Sequence, residues 1–310
     1  MERKILSIAP SFNCSLKCEG CYLTSEVSRE MREATKDDYY WKRAMEEAVR
    51  AGFEEFAMTL NPFPGATKKA VEYAKMARQA GFKVINVTAT HHSILAKNED
   101  GRFEDRYAEN AEELVNLINI LTISVDDQRF DSWTSAFETI STMDDLLNTD
   151  DSFYEQGKIF NINLLWTPTV FKWFEDESIP MDEDVSCIIG WQKEDTPGRG
   201  YITIQHLIYK PLTLYESEEW FMMRYFDVLD NAEDIKIGGD GKYQIGDAPF
   251  NNKMGMTECP GRWMVDIDPM GFVRKCPENP DSFDATNIAK LNTILRGGVP
   301  GCDAIKCNCI

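Results

Sequence analysis

Histidine is nearly missing from this chain, with three residues in 310: His91, His92 and His206. With it go two familiar catalytic constellations, the H-E-x-x-H metal pair and the Ser-His-Asp triad. A Gly-rich phosphate loop is also lacking. No apolar run approaches the ~18 residues needed to span a bilayer, and nothing resembles the apolar segment of a secretory signal. Basic charge is scarce as well: 33 Lys and Arg stand against 52 Asp and Glu, a formal net charge of −19. Nucleic-acid binders show a basic patch or stripe, so a phosphate-tracking surface is not expected, and the acidity is read as serving solubility. The carboxylates are spread through 99–113, 144–151 and 175–184 and read as solvated faces and loops. The expected setting is the cytoplasm, where thiols stay reduced.

Cysteine is what the chain does have. Cys14, Cys18 and Cys21 fall in C-S-L-K-C-E-G-C-Y, directly after an apolar run at 5–9 that reads as a short buried strand. Three thiolates on one loop suffice to ligate three irons of a [4Fe–4S] cubane. The next cysteine, Cys187, lies far along the chain, so the fourth iron is left for a ligand that is not protein. A structural zinc site is the competing reading, but it calls for four ligands in closed tetrahedral geometry, and no histidine lies between Glu2 and Gly81. A disulfide would need an oxidising compartment.

A second group comprises Cys259, Cys276, Cys302, Cys307 and Cys309. Cys259 and Cys276 bracket V-D-I-D-P-M-G-F-V, which reads as a β-hairpin turning at Asp268-Pro269-Met270-Gly271, with Pro and Gly in preferred turn positions. A hairpin brings its ends together, so these two cysteines are expected to be neighbours. A zinc ribbon built from two hairpin and two terminal cysteines is the alternative use of the set. Cys187 reads as a small buried hydrophobe.

Between the two groups, strand-like runs alternate with helical periodicity, which argues for βα units and a parallel sheet. Strands are expected near 4–8, 55–60, 83–88, 121–125, 159–166 and 201–208. Helices are expected at 35–50 with Thr35 as N-cap, at 67–80 ending at Gly81, and near 109–119, 132–147 and 170–175. After Pro211 the alternation fails. One amphipathic helix near 217–230 precedes a Gly-rich, turn-rich stretch, which marks a boundary: residues 1–215 form one domain and 216–310 an extension.

The C-x3-C-x2-C loop just after the first strand closely resembles the radical SAM superfamily. That resemblance implies an α/β fold, a partial (βα)6 TIM-like barrel, with ligands at the carboxyl ends of its strands. It implies a [4Fe–4S] cluster on Cys14, Cys18 and Cys21 whose open iron is chelated by S-adenosylmethionine (SAM). It further implies reductive cleavage to a 5′-deoxyadenosyl radical and hydrogen abstraction from a substrate. Tyr22, which closes the motif, joins the cofactor-binding residues on the same basis.

In this family a G-G-E-P-like turn after the second strand grips the methionyl amine. Here the matching place reads Thr59-Leu60-Asn61-Pro62-Phe63-Pro64-Gly65, without the glycine pair or the glutamate. The Thr59 hydroxyl and the Asn61 side-chain carbonyl are the acceptors available for the amine. A proline-shaped rim turn is the alternative. Asn61 lies on a different strand end from the cysteine loop, so its replacement is expected to leave iron content intact. The run I-S-V-D-D resembles a fourth-strand end at which Ser124 approaches the SAM carboxylate or ribose and Asp126 braces nearby loops. Asn161 and Asn163 share one strand face, and Asn163 is assigned to the ribose. His91 and His92 are expected to point oppositely, one solvated and one lining a pocket.

The spacing C-x11-G-x4-C from Cys259 resembles the opening of SPASM and twitch domains, which hold auxiliary clusters. Five cysteines imply one auxiliary [4Fe–4S] cluster on a small Cys-rich, twitch/SPASM-like extension. Implied partners are an electron donor such as a flavodoxin or ferredoxin and a bound substrate, with no membrane and no nucleic acid. Only a strand's length precedes Cys14, so no leader-recognition domain is expected. That favours a small molecule or nucleotide-like metabolite, with a peptide- or protein-modifying maturase as the alternative. A non-catalytic iron–sulfur electron-transfer protein is the competing class.

Overall fold

A computed structural model describes residues 4–16, 18, 21, 27–148, 152–166, 169–170, 172–173, 199–206, 235–237, 242–245, 264–274 and 282–297. In chain order the elements are β1 (Ile5–Ile8), α1 (Arg29–Glu33), α2 (Asp38–Arg50), β2 (Glu55–Thr59), α3 (Ala66–Ala80), β3 (Val84–Ala89), β4 (Leu95–Lys97), β5 (Phe103–Tyr107), α4 (Ala111–Leu117), β6 (Ile120–Val125), α5 (Trp133–Asn148) and α6 (Ser152–Glu155). They continue with β7 (Ile159–Trp166), β8 (Arg199–His206), β9 (Ile235–Ile237), β10 (Lys242–Ile245), β11 (Met264–Ile267), β12 (Phe272–Arg274), β13 (Phe283–Asp284) and α7 (Ile288–Gly297). The fold is mixed α/β with parallel strands, as expected. The expected boundary at 215/216 and the helix at 217–230 lie outside the described residues.

The chain divides into two compact units, one of residues 1–96, 107–121 and 260–306, the other of 97–106, 122–259 and 307–310. In the first unit the strand order is β13-β12-β11-β1-β2-β3. β1 sits between β11 and β2 and is parallel to both, with Ser7 opposite Asp266 on one side and Ala57 on the other. β11, β12 and β13 are antiparallel to one another. One face of these strands is apolar and dry, built from Leu6, Ile8, Phe56, Met58, Ile85, Val87, Val265 and Ile267, all buried. These residues alternate with the opposite face at the strand period of two.

Local chemistry explains the helices. Buried Trp41, Ala44, Met45 and Ala48 recur at helical spacing along α2, which packs against α3 and α7. Its N-cap is Asp37, whose carboxylate accepts from the Tyr40 N–H at 2.8 Å. This corrects the expected start at Thr35, whose own N–H instead closes the turn after α1 onto the Arg32 carbonyl at 3.3 Å. A carboxylate both caps the free N–H groups and meets the positive end of the helix dipole, so Asp37 outcompetes a hydroxyl. α3 stops as expected at Gly81, whose φ of 110° only glycine adopts readily.

In the second unit the strand order is β6-β7-β8-β10-β9. β7 and β8 are parallel, with Asn163 opposite Thr203, while β10 runs antiparallel to β8. α5 carries a buried stripe of Ala136, Ile140, Met143 and Leu147.

No helix among the described residues is long and apolar enough to cross a membrane.

Candidate functional site

The cysteine loop leaves the carboxyl end of β1. Ala9 continues the pairing for one more step by donating to the Ile267 carbonyl at 3.0 Å. Phe12, only 4% exposed, anchors the start of the loop in the core. Cys14, Cys18 and Cys21 are each half-buried, and the Cys21 N–H donates to the Cys18 carbonyl at 3.3 Å. Tyr22 lies outside the described residues.

The loop after β2 is fastened to this one. Asn61 Nδ2 donates to the Ser11 carbonyl at 3.0 Å. Ser15 gives both its N–H, at 2.6 Å, and its hydroxyl, at 2.8 Å, to the Pro62 carbonyl. Arg32 of α1 adds a bond to Asn13 Oδ1 at 3.2 Å. Four hydrogen bonds therefore shape the described part of the loop. With its amide donors facing Ser11, Asn61 has its carbonyl oxygen as the end that can accept from a ligand. Thr59 is half-buried at the end of β2, opposite Thr88 in register. Pro62 and Pro64 thus belong to a turn that both shapes the rim and supports the cysteine loop.

Among the described residues, no three His, Cys, Asp or Glu side chains already converge as a metal site. The donor chemistry still fits an iron–sulfur cluster. Three thiols share one pinned loop at the carboxyl end of a central parallel strand, and thiolates are the ligands that hold such clusters. Cys259, Cys276, Cys302, Cys307, Cys309 and Cys187 lie outside the described residues.

The turn expected at Asp268–Gly271 is present. Asp268 Oδ1 accepts from the N–H groups of Met270 and Phe272, each at 2.9 Å, and Gly271 takes a φ of 85°. Just before it lies a pair that sequence reasoning missed. The Ser7 hydroxyl donates to Asp266 Oδ1 at 2.7 Å, and Asp266 is 2% exposed. Burial pushes the Asp266 carboxyl up to about 6, with the Ser7 hydrogen bond and the Arg274 charge opposing the rise and Asp268 adding to it. Burial likewise raises Asp268, against the backbone bonds of its turn. The available signal was the aspartate at the centre of V-D-I, a charge between two core residues of a strand.

In the second unit, Ser124 is half-buried on β6, and Asp126 follows that strand at 1% exposure. Asp126 Oδ1 accepts from the Gln128 N–H at 3.0 Å, and Oδ2 pairs with the Arg129 guanidinium. It therefore organises its own turn. Asn161 keeps a buried Oδ1 without a hydrogen-bond partner, and Asn163 is placed on β7 by its backbone pairing.

His91 and His92 form a short 3-10 turn after β3, His91 buried and His92 exposed, with ring centroids 4.0 Å apart. The turn replaces the strand alternation expected for them.

No family model matches the chain, and no curated protein matches it. Solved structures do resemble it. SuiB from Streptococcus suis matches with a TM-score of 0.47 and 16% identity, over 96% of this chain and 67% of that one. The structure of native anSMEcpe with bound AdoMet matches at 0.44 and 14%, over 93% and 80%. The HemN coproporphyrinogen III oxidase from Escherichia coli, described as a radical SAM enzyme, matches at 0.43 and 15%, over 88% and 65%. At these scores and identities the likeness transfers no residue role, substrate or cofactor to this chain.

Proposed function

We propose that this protein is a radical SAM enzyme that abstracts hydrogen from a bound substrate. One observation carries the reading: Cys14, Cys18 and Cys21 share a loop that begins at the carboxyl end of a central parallel strand and is hydrogen-bonded to the loop after the next strand. The position suits ligand binding, since parallel sheets place their sites at the carboxyl ends of strands. Cys14, Cys18 and Cys21 hold the cluster. The chemistry that cluster and SAM supply when bound is one-electron cleavage of the sulfonium to a 5′-deoxyadenosyl radical.

The chain's own residues do the positioning. Asn61 is oriented by Ser11 so that its carbonyl oxygen can take the methionyl amine, with Thr59 as a second acceptor. Ser15 and Pro62 hold the two loops in register. Phe12 closes the base of the loop against the core. We extend the reading to a partial (βα)6 barrel with a twitch-like extension whose auxiliary cluster draws on Cys259, Cys276, Cys302, Cys307 and Cys309. A small molecule or nucleotide-like metabolite is the substrate class, with a peptide or protein as the alternative, a flavodoxin or ferredoxin the electron donor, and the cytoplasm the setting. Release of 5′-deoxyadenosine from SAM under dithionite tests the reading.

A further inference from the structure

The face of the first unit opposite its dry core is not apolar. One register row crosses it: Arg274 on β12, Asp266 on β11, Ser7 on β1, Ala57 on β2 and Asn86 on β3. Residues paired in register point to the same face. The row thus places a cation, a carboxylate, a hydroxyl, a methyl group and an amide side by side in mid-sheet. Glu55, on the same face one pleat earlier, is buried and accepts from Asn86 Nδ2 at 3.3 Å.

Three buried atoms of this row have no hydrogen-bond partner: Asp266 Oδ2, Asn86 Oδ1 and Arg274 Nε. Native structures rarely leave such atoms unmatched, and each instance calls for a water, an ion or a ligand. The Asp266 carboxylate is the one with most at stake, since it is 2% exposed and only its other oxygen is held, by Ser7. The row is not closed along its whole length. Ala57 and Asn86 are half-buried, whereas Phe56 and Met58 beside Ala57 are buried.

The sign of the ligand follows from the charges. Glu55 and Asp266 lie on this face, Asp268 follows at the turn, and Arg274 is the cation that stands beside them in the row. A buried carboxylate is satisfied by a cationic hydrogen-bond donor. We propose that Asp266, held in place by Ser7, binds a protonated amine of the substrate. Ser7 is a positioning residue: its hydroxyl fixes one carboxylate oxygen and thereby aims the other. The row lies only two residues before Ala9, or about 7 Å along β1 at the strand rise, so a ligand gripped here extends toward the root of the cysteine loop. This rests on the radical SAM reading for its meaning as a substrate site, though the binding itself does not.

The test is anaerobic titration calorimetry on the reconstituted full chain, in the presence and absence of SAM. The probes are 1,4-diaminobutane and spermidine, with 1,4-butanediol as the neutral control. Saturable binding of the amines is expected, with no binding of the diol. Asp266→Asn should weaken amine binding at least tenfold. Ser7→Ala should weaken it less, and both variants should keep wild-type circular dichroism and SAM affinity. Absence of amine binding to a wild type that binds SAM overturns the inference, as does equal affinity in Asp266→Asn or equal binding of the diol. If either variant misfolds, Asp266→Glu, which keeps the charge but shifts it by a methylene, decides: unchanged amine affinity there also overturns it. Asp266-dependent amine binding by a protein that cannot cleave SAM would leave this inference standing and remove the radical SAM reading.

Discussion

The side-chain amide of Asn61 donates to the backbone carbonyl of Ser11 at 3.0 Å, so the loop after β2 braces the loop that carries the three cysteines. The two strand ends are therefore not independent. Iron content is the open question at Asn61: its place on a different strand end argues that replacement leaves loading intact, whereas this bond gives replacement a route to disturb it.

Asn61→Leu removes both the brace and the acceptor. Loss of a hydrogen bond to a charged amine is worth about 1.5–3 kcal/mol, roughly ten- to a hundredfold in SAM affinity. Iron loading should fall as well. Asn61→Asp separates the two roles, because it keeps an acceptor for the amine while losing the donor to Ser11. It should load iron poorly yet bind SAM, once loaded, nearly as well as wild type. Equilibrium SAM binding and iron assay on the two variants check this.

Iron content tests the two cysteine groups separately. Anaerobically reconstituted wild type should hold about eight irons and eight sulfides per chain, two cubanes' worth. Replacing Cys14, Cys18 and Cys21 with Ala should leave about four of each, belonging to the auxiliary cluster alone. Stoichiometric zinc in the C-terminal group would instead mark a zinc ribbon.

How much of this was legible in the sequence depends on the range of the interaction. β7 and the stop of α3 at Gly81 match the expected elements closely, because strand periodicity and a left-handed glycine are local signals. The hairpin turn at Asp268 and Gly271 was legible for the same reason. The Ser7–Asp266 bond was not, since 259 positions separate the partners and the strand pairing that joins them is parallel. Thr35 and Asp37 are both capping residues, and choosing between them required the actual turn after α1. β5, which reads F-E-D-R-Y, lay in a stretch read as solvated loop because its charges mask the strand alternation. The Asn61–Ser11 brace joins two irregular segments, for which no periodicity exists to be read.

Asp266 makes stability depend on pH in a defined direction. Its folded value is raised to about 6 from 3.8, so the folded state favours the protonated form. Its contribution is full below the unfolded value and is lost as pH rises through the folded one. Asp266→Asn removes that dependence. The difference in unfolding free energy between variant and wild type should therefore shift in the variant's favour by about 2–3 kcal/mol between pH 3.5 and 7.5. Urea unfolding at the two pH values measures it, and parallel wild-type and variant curves would contradict the assignment.

Asp37→Ala removes the N-cap of α2 and should cost about 1 kcal/mol of stability. SAM affinity should be unchanged, because Asp37 has no part in either loop. Denaturant unfolding of the pair, with SAM titration as control, checks both halves.

The central claim is that Cys14, Cys18 and Cys21 form the SAM-cleaving centre. Dithionite-reduced, reconstituted protein should release 5′-deoxyadenosine and methionine from SAM, slowly when no substrate is present. Cys18→Ala should abolish the release, because a cubane held by two thiolates is no longer site-differentiated. Product quantified by chromatography decides the matter: release confined to the wild type is the predicted result, and undiminished release from Cys18→Ala would contradict the account.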